Sequence, residues 1–389
     1  MGKIDKNVVM LGWASYFTDF ASAMVNPVLP IFVVSILHEG VDKLGFIVAA
    51  ATFVSYLLRI FSGYIADRFG VVKPLVASGY LLSAVTKPLL GFSEGYKSIA
   101  LIKSAERFGK GVRSAPKDLM IAHYSKKEHS GKTFGFHKTL DIAGELSGTL
   151  FLFFLLYFFG QGENVIRNIF FFTLIPGMLG LFFVVFFVKD IPKPSHKESA
   201  LRFSLTPNDK KTVSSLIFYF VFSFFIFNDA FFTLQAKSVG IETLYIPLLF
   251  VVSTFTQTLT SYYFGVKTDK KGVRQVMLFA YVSGVIAELL LYLQTPVATW
   301  VAYAFLGLFT VASLNANRAY IAKNADNRAF VYGIFYAGIA FFAALGAYLM
   351  GFIWEHVGMQ QALELSLGVT FFITFVFLFK KEERKEIGK

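Results

Sequence analysis

Short segments that carry charges, glycine or proline divide this sequence into long apolar runs. A helix needs about 20 apolar residues to cross the ~30 Å hydrocarbon core of a bilayer, and twelve of the runs reach that length. Only 16% of the residues are charged, whereas an ordinary soluble domain has about 25%. The pattern excludes a soluble or disordered chain and predicts an all-α polytopic membrane protein. Its helices are expected near residues 8–36, 44–66, 74–92, 98–124, 134–160, 166–188, 214–237, 244–264, 273–293, 297–322, 330–354 and 362–379.

The formal net charge of +12 has to lie mostly outside the lipid. A basic chain suits nucleic acid, but its 48 phenylalanines outnumber its 37 lysines and arginines, so no nucleic-acid partner is expected. Lysine and arginine collect in alternate loops, and the positive-inside rule then predicts a multi-pass inner-membrane protein with both termini in the cytoplasm. The chain has no cysteine, no phosphate-binding loop, no nucleotide fingerprint and no zinc-ligand spacing. We therefore expect neither a cofactor nor a metal site.

A polar, proline-containing segment at residues 190–212 bisects the chain. It predicts a cytoplasmic linker between an N-terminal six-helix bundle, residues 1–189, and a C-terminal six-helix bundle, residues 213–389. The two parts repeat each other at spacings of roughly 200 residues, which favours an internal duplication. The repeated features are a loop motif (Gly63, Asp67, Arg68 and Gly70, then Gly265, Asp269, Lys270 and Gly272), the openings of the fifth and eleventh helices (Phe134–His137 and Tyr332–Phe335), and an aspartate in the first and seventh helices (Asp19 and Asp229).

The repeated loop motif has a physical interpretation of its own. Its first glycine lets two helices approach closely, and its last glycine permits a tight turn. Its acidic residue can accept hydrogen bonds from a neighbouring helix N-terminus, and its basic residue can pair with an acid or a lipid phosphate. Such a cluster forms on a closed cytoplasmic face and breaks when a cavity opens there, so we interpret both copies of the motif as a conformational latch.

With these residues the chain resembles the major facilitator superfamily over its whole length. The matching positions are Gly63, Asp67, Arg68 and Gly70 in the family's loop motif, Arg107, Gly111 and Ala115 in its fourth-helix motif, and Gly144 and Gly148 in a poorly matched fifth-helix antiporter motif. The resemblance implies two pseudo-symmetric six-helix bundles, secondary active transport and alternating access. It places the chain near a bacterial permease branch with unassigned substrates. Gly144 with Gly148, and Gly346 with Gly351, are also spaced for close helix packing.

Charges within the apolar runs are the candidate functional residues, because a charge at mid-bilayer costs at least ~2.5–3.5 kcal/mol. The fourth helix carries a stripe of charged residues at three- and four-residue steps, formed by Lys103, Glu106, Arg107, Lys110 and Arg113. Glu106 is placed to pair with Lys110. We expect this stripe to face a central aqueous cavity. Arg318 either faces the same cavity or pairs with Asp326 at its mouth. The candidate substrate residues are Lys103, Arg107, Lys110, Arg113, Tyr16, Asn228, Gln257, Arg318 and Tyr336.

Acidic residues in other helices are candidates for proton coupling, since a buried carboxylate that alternates between environments can bind and release a proton. Asp19 and Glu145, with Arg107 as counter-ion, are the main candidates. Asp141 and His137 share a helix face with Glu145, and Asp229 is a further candidate. The alternative is that these groups form static ion pairs that only help the helices pack.

The predicted function is secondary active transport of a small organic anion or zwitterion, coupled to protons, because cations outnumber acids in the stripe. A proton-driven exporter of lipophilic drugs is the nearest alternative. A lipid flippase and a metal-ion carrier with the same fold remain open. An enzyme is not expected, since no serine joins His137 and Asp141 at helical spacing. The expected partners are a small-molecule substrate, protons and membrane lipid, and the chain is expected to be a monomer.

Overall fold

Helices account for nearly all of the chain that can be described. The structure is a computed structural model, and it describes residues 4–69, 71–125, 130–191 and 205–379, except the side chains at 56, 57, 59–69, 130–132, 269, 271, 328 and 329. The described residues form α1 (Lys6–Val25, continued by Leu29–Ile31 and a π-helical turn, Phe32–Ile36), α2 (Val41–Phe69), α3 (Lys73–Leu89), α4 (Tyr96–His123), α5 (Ser130–Phe159), α6 (Glu163–Phe172 and Leu174–Phe187), α7 (Pro207–Phe225 and Asp229–Ser238), α8 (Ile246–Lys271), α9 (Val273–Tyr292), α10 (Pro296–Asn324), α11 (Arg328–His356) and α12 (Met359–Phe379).

These segments confirm the twelve predicted helices. By length and composition, 10 helical segments among the described residues can cross a membrane, so the chain is a multi-pass membrane protein. The largest differences at helix ends are in α8, which continues to Lys271, and in α7, which begins at Pro207, inside the predicted linker. Thr206 and Asp209 form a capping box there, and proline is favoured at the first helical position because it has no N–H to leave unpaired.

The first and seventh helices are both interrupted. In α1 the helix ends at Val25 and resumes at Leu29, around Pro27, which lacks the N–H that a continuous helix needs. In α7 the interruption follows Phe225, and Asn228 caps the second part by accepting from two backbone N–H groups. Asp19 and Asp229 are therefore not equivalent, contrary to the spacing argument. Asp19 precedes the interruption of α1, whereas Asp229 follows that of α7.

Glycines bring helices into backbone contact in each half of the chain. A Cβ at Gly144 or Gly148 on α5 would overlap the backbone of α1, and a Cβ at Gly346 on α11 would overlap the Phe224 carbonyl of α7. These contacts confirm the predicted close packing. They fix α5 to α1 in one half, and α11 to α7 in the other.

The two halves, α1–α6 and α7–α12, meet most closely at one end of the bundle. We call the end with Lys6 and Phe379 the terminal face, and the end at which α2 begins the opposite face. At the opposite face the Val41 N–H donates to Glu355 Oε2 (2.6 Å). The Cα of Gly351 lies 3.2 Å from where a Cβ on Gly45 would be, so α2 and α11 touch. The halves are thus closed against each other at the opposite face.

Candidate functional site

A polar cavity of about 160 Å³ lies between the halves. Its wall combines the interrupted part of α1 with charged side chains of α4 and α5 and one phenylalanine of α8. Its lining residues are Asp19, Ser22, Ala23, Asn26, Pro27, Arg107, Lys110, Lys138, Glu145, Thr149 and Phe250. The charged groups come from the first half, so this half dominates the electrostatics of the cavity.

Charges of both signs are close to one another in this wall. The Asp19 carboxylate interacts electrostatically with the Lys110 ammonium group and with Glu145. Lys110 and Glu145 both have exposed side chains that line the cavity. Asp229 of the second half does not line the cavity, but its side chain is exposed and lies within electrostatic range of Arg107. The arrangement can bind a ligand that carries an anionic group, a cationic group, or both.

One hydrogen bond joins the cavity wall to the second half. The Thr254 hydroxyl on α8 donates to Glu145 Oε1 on α5 (3.2 Å). Thr254 is only 7% exposed, so the bond lies between the packed helices rather than in open solvent. Glu145 therefore contacts both the cavity and the opposing half.

The chain is thus a helical bundle with an interrupted first helix and a central charged cavity. The profile of the Major Facilitator Superfamily matches residues 11–236 and residues 213–389. The chain belongs to the major facilitator superfamily. It is 28% identical over 366 residues to an uncharacterized MFS-type transporter of Methanocaldococcus jannaschii, a match covering 91% of this chain and 89% of that protein.

Two further similarities differ in extent. The chain is 28% identical to the multidrug resistance protein MdtH of Photorhabdus laumondii subsp. laumondii over 127 residues, which are 33% of this chain and 31% of that protein. The crystal structure of the nucleoside transporter NupG is similar in fold, with a TM-score of 0.80 at 14% identity over 97% of this chain and 100% of that one. The predicted major facilitator fold is confirmed, and the chain is a membrane transporter of this superfamily.

Only two of the four basic residues in the α4 stripe face the cavity. Arg107 and Lys110 line the cavity, but Lys103 and Arg113 are buried inside the first half, at 5% and 6% exposure. Arg113 Nη1 donates to Ser83 Oγ of α3 (2.8 Å). The expectation that the whole stripe lines one cavity is therefore wrong for Lys103 and Arg113 in this conformation.

The pairing of Glu106 also differs from the prediction. Lys103 Nζ donates to Glu106 Oε2 (2.5 Å), and Lys87 Nζ of α3 lies 3.6 Å from Glu106 Oε1. Glu106 thus pairs with Lys103 and Lys87 rather than with Lys110. Lys87 is 1% exposed, so this is a buried cluster of two cations and one acid that joins α3 to α4.

His137 and Asp141 belong to a separate buried network. His137 Nε2 lies 3.1 Å from Ser15 Oγ of α1, and His137 Nδ1 lies 3.5 Å from Asp141 Oδ1. Lys117 Nζ of α4 also donates to Ser15 Oγ (2.9 Å). This network joins α1, α4 and α5, and His137 and Asp141 are not among the residues that line the cavity.

The remaining predicted substrate residues are not among those that line the cavity. Tyr16 packs between α1 and α5, where its hydroxyl accepts from Ser147 (2.8 Å). Gln257 Nε2 donates to Ser253 on its own helix (3.3 Å).

Arg318 and Asn228 complete this set. Arg318 Nε donates to the Tyr336 hydroxyl (3.1 Å), which joins α10 to α11. Asp326 instead accepts from Thr206 (2.7 Å), so the alternative Arg318–Asp326 pair is not formed. Asn228 serves as the cap of the second part of α7.

Only part of the predicted latch can be placed. Gly70 lies outside the described residues, and Gly63, Asp67, Arg68 and Asp269 are described only as helix backbone, without their side chains. Lys270 is exposed. Gly272 has a φ of 88°, in the left-handed region, and forms the tight turn between α8 and α9. A Cβ at Gly265 would meet nothing within 4 Å, so this glycine makes no close helix contact in this conformation.

Sequence reasoning missed Lys138 and Thr254 as site residues. Lys138 lies seven residues before Glu145 on α5, and this spacing places both on one helix face, so the helical period could have found it. Thr254 carries no charge and interrupts no pattern. Only the packing of α8 against α5 reveals its contact with Glu145.

Proposed function

We propose that this transporter moves a small organic anion or zwitterion by alternating access, coupled to protons. The observation that carries the proposal is the mixed charge of the central cavity, where Arg107 and Lys110 lie beside Asp19 and Glu145. Three basic side chains, including Lys138, face two carboxylates in the lining. The excess of basic side chains over carboxylates favours an anionic group on the substrate. The carboxylates can bind an ammonium group on the same molecule.

The closed opposite face supports alternating access. The contact between α2 and α11 at Gly45 and Gly351 seals one end of the space between the halves. We propose that residues 1–189 and 213–389 rock about the cavity to open that end. The distribution of lysine and arginine favours an orientation in which the terminal face, with both chain ends, lies on the cytoplasmic side of an inner membrane. In that orientation the conformation described is closed to the outside.

Proton coupling is assigned to Glu145 and Asp19. Both carboxylates line the cavity, and each interacts with Lys110 or with the other acid. A substrate that displaces these interactions changes the affinity of the carboxylates for protons. Asp229, Asp141 and His137 are second candidates. The last two act only if the buried network around Ser15 exchanges protons with the cavity.

A ligand-stability screen tests the choice of substrate. A ligand that binds the folded state raises its melting temperature by mass action. Anionic and zwitterionic metabolites are expected to stabilise the purified protein more than cationic ones. R107A and K110A should abolish the stabilisation, whereas K97A, a matched control on the exposed start of α4, should keep it. Equal stabilisation of R107A, K110A and the unmodified protein would contradict the proposed anion site.

Transport in vesicles then tests the coupling. A proton gradient across reconstituted vesicles is expected to drive accumulation of whichever compound the screen identifies. E145Q and D19N should reduce gradient-driven accumulation while leaving exchange down the substrate's own gradient. Accumulation that does not respond to the proton gradient would remove proton coupling but leave the anion site standing.

Export of lipophilic compounds is the second candidate, favoured by the partial similarity to MdtH and by Phe250 in the cavity wall. In that case cationic lipophilic dyes should compete for binding as effectively as organic anions do. R107A should not change the effect of the dyes. The two candidates therefore differ in the charge of the effective competitors.

A further inference from the structure

Glu288 of α9 is a fully buried carboxyl group at the interruption of α7. Its Oε1 accepts from the Phe227 backbone N–H (3.2 Å) and contacts the Ser366 hydroxyl of α12. Its Oε2 contacts the Thr370 hydroxyl (2.6 Å). The side chain has 0% exposure. Glu288 thus joins three helices where the backbone of α7 leaves its helical path.

Among the described residues, no cation forms an ion pair with Glu288. The salt bridges between described residues involve Asp42, Glu106, Asp141 and Glu163, and none includes Glu288. The groups that contact it are two hydroxyls and one amide. An isolated ionised carboxylate in an apolar interior is far more costly than a neutral carboxylic acid, so burial of this kind favours the protonated form.

The hydrogen bonds around Ser366 lead to the same conclusion by counting protons. The Ser366 hydroxyl has one proton, and it lies 2.6 Å from the carbonyl oxygen of Phe225. That carbonyl ends the first part of α7, and a helix end leaves such carbonyls without a helical partner. Thr370 is placed similarly, since its hydroxyl also lies 2.8 Å from the carbonyl oxygen of Ser366. Each hydroxyl thus has one proton and both a carbonyl and a Glu288 oxygen within reach, and a protonated Glu288 supplies the further donor that lets Ser366 donate to Phe225.

We propose that Glu288 is a protonated carboxylic acid, and that in this form it is a positioning residue that holds the interruption of α7 together. The chain of donation runs from Thr370 to Glu288 Oε2, from Glu288 Oε1 to Ser366, and from Ser366 to Phe225. Three residues beyond Phe225 the second part of α7 begins with Asn228 and Asp229. Glu288 thereby fixes where Asp229 stands relative to Arg107; the link from this position to transport rests on the proposed function.

At the corresponding position of the first half, a buried charged residue is stabilised by an ion pair instead. Lys87, about 200 residues before Glu288 and in the corresponding helix α3, is also buried but pairs with Glu106. In that pair Glu106, in the same half, is the partner of opposite charge for Lys87. Glu288 has backbone and hydroxyl groups instead, which a neutral acid satisfies by donating once and accepting from its neighbours.

Infrared spectroscopy of the full chain in lipid nanodiscs tests the protonation. E288Q is expected to lose a carbonyl absorption of a protonated carboxylic acid near neutral pH. E364Q is the matched control, because Glu364 is an exposed carboxylate of α12, and it should keep that absorption. If the E288Q and E364Q spectra do not differ in this absorption, Glu288 is ionised and the proposal is overturned.

Distance measurements test the positioning role without any substrate. The chain has no cysteine, so spin labels at K210C and K237C report the shape of α7 directly. Glutamine donates and accepts as a protonated acid does, so E288Q should leave the distance distribution unchanged, whereas E288A should broaden it. Equal broadening in both variants would overturn the positioning role. If E288A does not fold, a broadened distance distribution in E288Q alone would overturn it. Neither measurement depends on transport, so its failure is distinguishable from failure of the proposed function.

Discussion

The hydroxyl of Thr254 on α8 donates a 3.2 Å hydrogen bond to the carboxylate of Glu145 on α5, which joins the two halves beside the central cavity. Gly144 and Gly148 hold α5 against the backbone of α1, so Glu145 is fixed to the first half. Thr254 belongs to the second half. Any rocking of the halves therefore acts on this bond, at a side chain that also faces the substrate space.

Removal of the Thr254 hydroxyl should shift the balance between conformations. A hydrogen bond to a charged group contributes about 1.5–3 kcal/mol, and about 1.4 kcal/mol is a tenfold change in an equilibrium constant. T254V should therefore lower the ratio of the described conformation to the alternative one by roughly tenfold or more, whereas T254S should not. Spin labels at K189C and K323C, at the terminal face of the two halves, measure the populations. Identical distributions for T254V and T254S would show that the bond persists in both conformations.

Alanine at Gly144 should destabilise the protein, because its Cβ would overlap the Tyr16 backbone of α1. Overpacking of this kind costs about 1–3 kcal/mol. The matched control is G135A on the same helix, where a Cβ would meet nothing within 4 Å. Alanine is a better helix former than glycine, so the control should be neutral or slightly stabilising. Melting temperatures in one detergent compare the two, and a G144A protein as stable as G135A would contradict the close packing.

A side chain at Gly45 should open the opposite face. A Cβ there would lie 2.5 Å from the Ala347 carbonyl oxygen on α11, so G45A should push α2 and α11 apart. G333A is the control on α11, because it has no atom within 4 Å of the added carbon. Labels at K97C and E242C, one in each half at the opposite face, should report longer distances in G45A only. No change in G45A would mean that this contact does not keep the face closed.

Neutralising Glu106 should be strongly destabilising. E106Q leaves Lys87 and Lys103 buried without a counter-charge, and breaking a buried ion pair from one side costs about 3–5 kcal/mol. D42N is the control, since the Asp42–Lys43 pair is partly exposed and its loss should leave the melting temperature unchanged. The double variant K87M/E106Q should recover part of the loss. An E106Q protein as stable as D42N would contradict the role of Glu106 as the counter-charge of the two buried lysines.

The sequence predicted the fold better than the site. Each of the twelve helices could be found because span length and apolar composition are local properties, and Gly144 and Gly148 were recognised from their spacing alone. The fourth helix shows the limit. Lys103 and Lys110 are seven residues apart and share a helix face, yet Lys103 is buried and Lys110 faces the cavity. They lie about 10 Å apart along the axis, so different helices surround them.

Partner choice was beyond the sequence for the same reason. Helical spacing allows Glu106 to pair with Lys103 or with Lys110 equally well. In the structure Glu106 pairs with Lys103 and with Lys87 of α3, a residue distant in the chain. The contact of Thr254 with Glu145, and that of Glu288 with the interruption of α7, likewise join residues distant in the chain. The sequence by itself determined the helices and the superfamily, because a bilayer constrains each helix separately. The tertiary structure decided which charges face water, since that depends on what packs beside each side chain.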